Sequence, residues 1–175
     1  MTSRGSYRRC QELVSRLTLP SPFSVDALVG AVAEQRGRPI HLHTLAPGCT
    51  INACGLWIST DTHDDIYVEE NTTRFHRDHI VLHEIGHMLC GHTDNNDTAE
   101  SGAIDRQELS RFLPDLDPGL IERLLARTSY TTEEEREAEL VASLIRTSAR
   151  AQQSTHPAGV LGELEAALGI RGERE

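Results

Sequence analysis

Apolar positions recur at helical spacing over residues 6–18, where Cys10, Leu13, Val14 and Leu17 share one side. Leu19-Pro20-Ser21-Pro22 ends that stretch. Ser24 is placed to cap a second helix from Val25 to Gln35, with Asp26 in its first turn and Gly37 beyond its end. The pattern then shortens to an alternation. Pro39 to Leu45 reads as a strand with Ile40, Leu42 and Leu45 inward and with His41 and His43 outward and solvated. Cys54 to Ser59 and Asp65 to Glu69 also read as strands, joined through a hairpin loop at Asp61–Asp64. From Asp78 to Cys90 helical character returns, and Ile80, Val81, Leu82, Ile85, Met88 and Leu89 cover much of the surface, which predicts a helix buried on most sides.

Beyond Cys90 the chain turns polar. Gly91 to Gly102 reads as a surface loop, Ile104 to Leu113 and Asp117 to Ala126 as two short helices. A longer helix to about Ala149 is capped by Thr131 or Thr132, and Thr131 with Glu134 matches a capping box. Val160 to Leu168 reads as a last short helix. Three strands before a buried helix, followed by a mostly helical C-terminal half, predict an α+β fold with a small antiparallel or mixed sheet packed on that helix.

At 175 residues the chain fits a single domain. With aromatics at 4%, its core has to be aliphatic. A formal charge of −10 gives no electrostatic affinity for nucleic-acid backbones or anionic membranes. The longest apolar run, Ala27 to Ala33, is too short to span a bilayer. Four cysteines without a C-x-x-C pair do not resemble a disulfide framework, and the reading is a soluble protein in the reducing cytoplasm.

The candidate chemistry lies in the buried helix. His83-Glu84-Ile85-Gly86-His87 is an H-E-x-x-H motif. Two histidines four residues apart project from one face, so both imidazoles can reach one metal ion, and Glu84 can take a proton from a metal-bound water. Gly86 is costly inside a helix, which implies a close neighbour there, either a strand or a substrate backbone. A catalytic zinc needs a third protein ligand and an open fourth position. The acidic run Glu133 to Glu139 offers candidates. At about 100° per residue, Glu134 and Glu137 share a face with Ala138, Val141, Leu144 and Ile145, whereas Glu135 and Glu139 turn away from it. Geometry leaves Glu134 and Glu137 open. His76 and His79 extend the histidine stripe as partly exposed positions. His92, after a helix-ending glycine, is a candidate for dipole compensation or oxyanion stabilisation. Cys90 reads as a small buried residue.

The stretch from His79 to Leu89, followed by Glu137-Ala138 and Val141-Ala142, resembles the ImmA/IrrE family of metallopeptidases. The likeness extends over residues 22–146, including Ser24 to Leu28, Ile40, Gly55 and Ile66 to Val68, with residues 92–130 as an insertion and 151–175 as an appendage. It implies a zincin-like fold and Zn²⁺ held by His83, His87 and Glu137, with Glu84 as the catalytic base. It also implies a zinc-dependent endopeptidase acting on a regulatory protein such as a helix-turn-helix repressor, and so a role in transcription regulation. The competing reading is a non-proteolytic component that keeps the metal for structure and sequesters a repressor or toxin partner. A third is hydrolysis of a non-peptide amide by the same water chemistry.

Overall fold

The computed structural model describes residues 4–45, 55–92 and 130–154. Four helices and three strands run in the order α1 (Arg4–Ser15), α2 (Val25–Arg36), β1 (Ile40–Leu45), β2 (Gly55–Ser59), β3 (Asp64–Glu69), α3 (Arg74–Cys90) and α4 (Thr132–Ser154). The helices expected at 104–113, 117–126 and 160–168, and the turn at 46–48, lie outside the described residues.

Local chemistry sets the boundaries. Ser24 caps α2 by accepting from the Ala27 N–H at 3.1 Å, and Gly37 ends it in the left-handed region at φ 69°. Thr73 caps α3 by accepting from the His76 N–H at 3.2 Å. The motif helix therefore starts at Arg74, a turn earlier than its apolar pattern indicates. The capping box at the start of α4 is present. The Thr131 N–H donates to Glu134 Oε2 at 2.7 Å, and the Glu134 N–H donates to Thr131 Oγ1 at 3.3 Å.

The sheet is mixed, in the order β1-β3-β2. β3 is central, parallel to β1 and antiparallel to β2. The side chain of Asp64, at the start of β3, is fully buried and bound by Arg36 at 3.2 Å, Arg38 at 3.1 Å and Trp57 Nε1 at 3.0 Å. That cluster ties the end of α2 to β2 and β3, and each oxygen of the buried carboxylate meets a donor. His43 stays partly exposed, in keeping with its outward position, but it is not free of protein contacts. It contacts Asp65 at 2.7 Å and stacks on Tyr67 with ring centroids 4.6 Å apart.

One face of the sheet carries Leu42, Ile66 and Val68 toward a single core with Leu28 and Val32 of α2 and Val81, Leu82 and Ile85 of α3. α3 and α4 form the main helix pair, and α1 packs on α4. The α4 stripe in this core is Ala138, Val141, Ala142, Ile145 and Ala149, all buried. Small residues let the helices approach closely. A Cβ built on Gly86 would lie 2.6 Å from the Ala138 carbonyl oxygen and 2.8 Å from its Cα. The close neighbour of Gly86 is thus a helix, neither a strand nor a substrate. No helix among the described residues is long and apolar enough to cross a membrane.

Because the obstruction at Gly86 is backbone, it cannot be relieved by a rotamer change. Gly86→Ala is expected to destabilise the fold by about 1–3 kcal/mol, as overpacking does. The gain of about 1 kcal/mol in helix propensity would otherwise favour alanine. Chemical denaturation of the two proteins decides between these effects: equal or greater stability of the variant contradicts the close seam.

Candidate metal centre

The H-E-x-x-H residues sit in the middle of α3, where it crosses both the sheet and α4. His83 is partly exposed and His87 fully buried. Their Nε2 atoms are 3.1 Å apart. The third group is Glu135. Its carboxylate lies 3.3 Å from His83 Nε2 and 3.6 Å from His87 Nε2. Zinc–ligand bonds of about 2.0–2.2 Å in tetrahedral array set donor atoms about 3.3–3.6 Å apart. The three groups lie close to that spacing, at 3.1–3.6 Å, with Glu135 offering one oxygen to each imidazole, and two imidazoles with one carboxylate suit zinc.

Glu137 is not brought to the histidine pair. It points to the opposite flank of α4, accepting a short hydrogen bond from Ser6 Oγ and lying 3.6 Å from Arg9 and 3.1 Å from His92. Glu134 is engaged in the capping box. The expectation differs because the face of α4 was drawn through Leu144 and without Ala142 and Ala149. Leu144 is only partly buried, whereas Ala142 and Ala149 form the seam. Recentring the stripe on Ala138, Ala142 and Ala149 turns Glu135 toward α3 and leaves Glu137 facing α1. Two carboxylates two residues apart thus serve different neighbours.

One turn beyond Glu135, Glu139 lies 3.7 Å from His83 Nδ1 and 3.2 Å from His79 Nε2. A carboxylate on the far nitrogen of a metal-binding imidazole orients the ring and favours the tautomer with a free Nε2. Reading Glu135 as the ligand therefore supplies an orienting acid at i+4, where Val141 offers none one turn beyond Glu137. The sequence signal was the i, i+4 pair Glu135–Glu139 facing the i, i+4 pair His79–His83. His76 makes no metal-centre contact among the described residues. Tyr130, just before α4, stacks on the His87 ring at a centroid distance of 3.7 Å and 18°.

Glu84 turns to the other side, toward the sheet. It is 5% exposed, and β2 approaches so closely that a Cβ on Gly55 would lie 2.9 Å from Glu84 Oε1. Burial pushes its pKa up to about 7, with His83 and the Trp57 N–H pulling the other way and Glu135 adding to the rise. Burial, with the neighbouring His83, lowers His87 to about 3, so its ring is neutral at pH 7. For His83, burial acts downward, but Glu135, Glu84 and Glu139 outweigh it and raise the value. Cys90 is buried against Cys10, and burial lifts its thiol to about 12, so it is no thiolate nucleophile at neutral pH. His92 is also buried, with both ring nitrogens in contact with protein groups, which removes it from the oxyanion role.

Beside His83 and Glu135 an open groove of about 570 Å³ is lined by Thr132, Arg136, Leu140 and Ser143. The three donors thus border an open groove, and the buried Glu84 carboxyl lies on the sheet side. No protein-family model matches the chain, and no curated protein and no solved structure matches it either.

The raised Glu84 value fixes the sign of a pH effect in metal-free protein. The folded state holds a proton on this group between about 4.5 and about 7 that the unfolded state releases, so stability falls as pH rises through that window. Glu84→Gln removes the penalty. Without metal the variant is expected to be more stable than wild type at pH 8 by roughly 1–3 kcal/mol and equal to it near pH 4. A difference that does not change with pH would contradict a buried, proton-retaining Glu84.

Proposed function

We propose that this chain is a zinc-dependent endopeptidase of the ImmA/IrrE type, with His83, His87 and Glu135 as the metal ligands and Glu84 as general base and acid. The observation that carries the reading is the convergence of three donors from α3 and α4 at 3.1–3.6 Å, beside a buried carboxyl whose pKa is about 7. Zinc held there supplies Lewis acidity, lowering the pKa of water to about 7 and polarising a peptide carbonyl.

The protein's own residues do the rest. Glu84 accepts a proton from water and returns it to the leaving amine, and a carboxyl titrating near neutrality suits both transfers. Glu139, 3.7 Å from His83 Nδ1, places a carboxylate on the far side of that ring. Among the described residues β2 has no strand on its outer side, and it runs directly past Glu84. An extended peptide adding to that edge would bring its backbone to the base, with main-chain hydrogen bonds fixing its register. The formal charge of −10 favours a basic partner, which fits a DNA-binding repressor as substrate.

The test is incubation of the protein, with zinc or with a chelator, with any helix-turn-helix repressor found encoded beside it. Cleavage is expected with zinc and not with chelator. Glu84→Gln is expected to bind zinc as wild type does while turnover falls at least about 10²–10⁴-fold, the usual contribution of general acid–base catalysis. His83→Ala and Glu135→Ala are expected to lose zinc. Full biological activity of Glu84→Gln would replace proteolysis with sequestration of the partner.

A further inference from the structure

Behind His87, away from the groove, lies a second buried polar group. His92 Nδ1 is 3.0 Å from His87 Nδ1, and His92 Nε2 is 3.1 Å from Glu137 Oε2. With His92 neutral, hydrogen bonding along this row allows one consistent set of protons. The Glu137 carboxylate only accepts, so His92 Nε2 carries hydrogen. If neutral, His92 then has a lone pair on Nδ1. That lone pair accepts from His87 Nδ1–H, which leaves His87 Nε2 unprotonated on the side of His83 and Glu135.

The backbone builds this row. Gly91 takes the left-handed conformation at φ 69°, and the His92 N–H donates to the His87 carbonyl at 3.1 Å. That Schellman closure turns the chain back and brings the His92 ring onto His87. Glu137 is fixed in turn by α1, through Ser6 Oγ and Arg9.

We propose that His92 and Glu137 are positioning residues that set the His87 tautomer for metal binding. The proposal rests on His83, His87 and Glu135 being the metal ligands. Cys90, His92 and Glu137 also offer donor atoms within 4.8 Å of one another, which is the alternative of a second metal site. Positioning fits better. The Glu137 carboxylate already meets Ser6, His92 and a guanidinium, and the positive charge of Arg9 opposes a further cation there. The same row explains why a buried acid stands on the flank of α4 facing α1.

Zinc titration against a chromophoric chelator and nitrogen-detected histidine NMR test the proposal on the full-length protein. Wild type is expected to bind one zinc per chain. His92→Ala and Glu137→Ala are expected to bind one zinc about 10–100-fold more weakly, the usual cost of losing an outer partner. His92→Asn, which keeps an acceptor near His87 Nδ1, is expected to recover part of the loss, and Cys90→Ala to bind as wild type. In wild-type spectra the proton is expected on His87 Nδ1 and on His92 Nε2. Two zinc ions per chain, with one lost in Cys90→Ala, would overturn the proposal. So would unchanged affinity in His92→Ala, or a His87 proton on Nε2. Failure of the underlying metal assignment looks different: His83→Ala would then bind zinc as wild type does, or wild type would bind none, whatever the His92 variants do.

Discussion

The approach of α3 to α4 at Gly86 and Ala138 governs the rest of the structure. A side chain at position 86 would overlap the Ala138 backbone, so the two helices can meet only because glycine stands there. This seam sets the depth of α4 against the motif helix. Glu135 lies one turn before the contact on α4, and His83 and His87 lie to either side of Gly86 on α3. A shift of α4 by the width of a methyl group would change the distance of Glu135 from both imidazoles at the candidate metal centre. The helix that donates the third group is thus held by close backbone packing.

His87 is where two polar systems meet. One nitrogen faces His83 and Glu135, and the other faces His92 and, beyond it, Glu137. Its burial keeps the ring uncharged at neutral pH, which is the state a metal ligand needs. Glu84 is buried on the sheet side, where the low polarity that raises its pKa also suits it to exchange protons near neutral pH. Two acids on α4 and one on α3 therefore take different roles according to their neighbours: Glu135 among imidazoles, Glu137 against α1, Glu84 beneath β2.

Much of this was legible in the sequence where the signal was local. The caps at Ser24 and Thr131–Glu134, the three strands and the motif helix follow from short-range rules, and the structure shows them within a few residues. The strand pairing was left between antiparallel and mixed, because a parallel β1–β3 pair depends on which strand takes the centre. The third acid was missed for a physical reason. Large apolar residues mark a helix face clearly, but a close helix–helix seam is made of alanine and glycine, which mark it weakly. Counting Leu144 on the α4 face in place of Ala142 and Ala149 turned Glu135 away and left Glu134 and Glu137 as candidates, of which the family resemblance implied Glu137. His92 was read as a helix-end residue for dipole compensation or oxyanion stabilisation, since nothing in the local pattern tells that Gly91 turns it back onto His87.

X-ray absorption at the zinc edge of the loaded full-length protein tests the central claim most directly, read alongside the same spectrum for Glu135→Ala. Two imidazole nitrogens and a carboxylate oxygen at about 2.0–2.2 Å, with the carboxylate signal changed in the variant, are expected. A sulfur scatterer at about 2.3 Å, or a spectrum that Glu135→Ala leaves untouched, would contradict it.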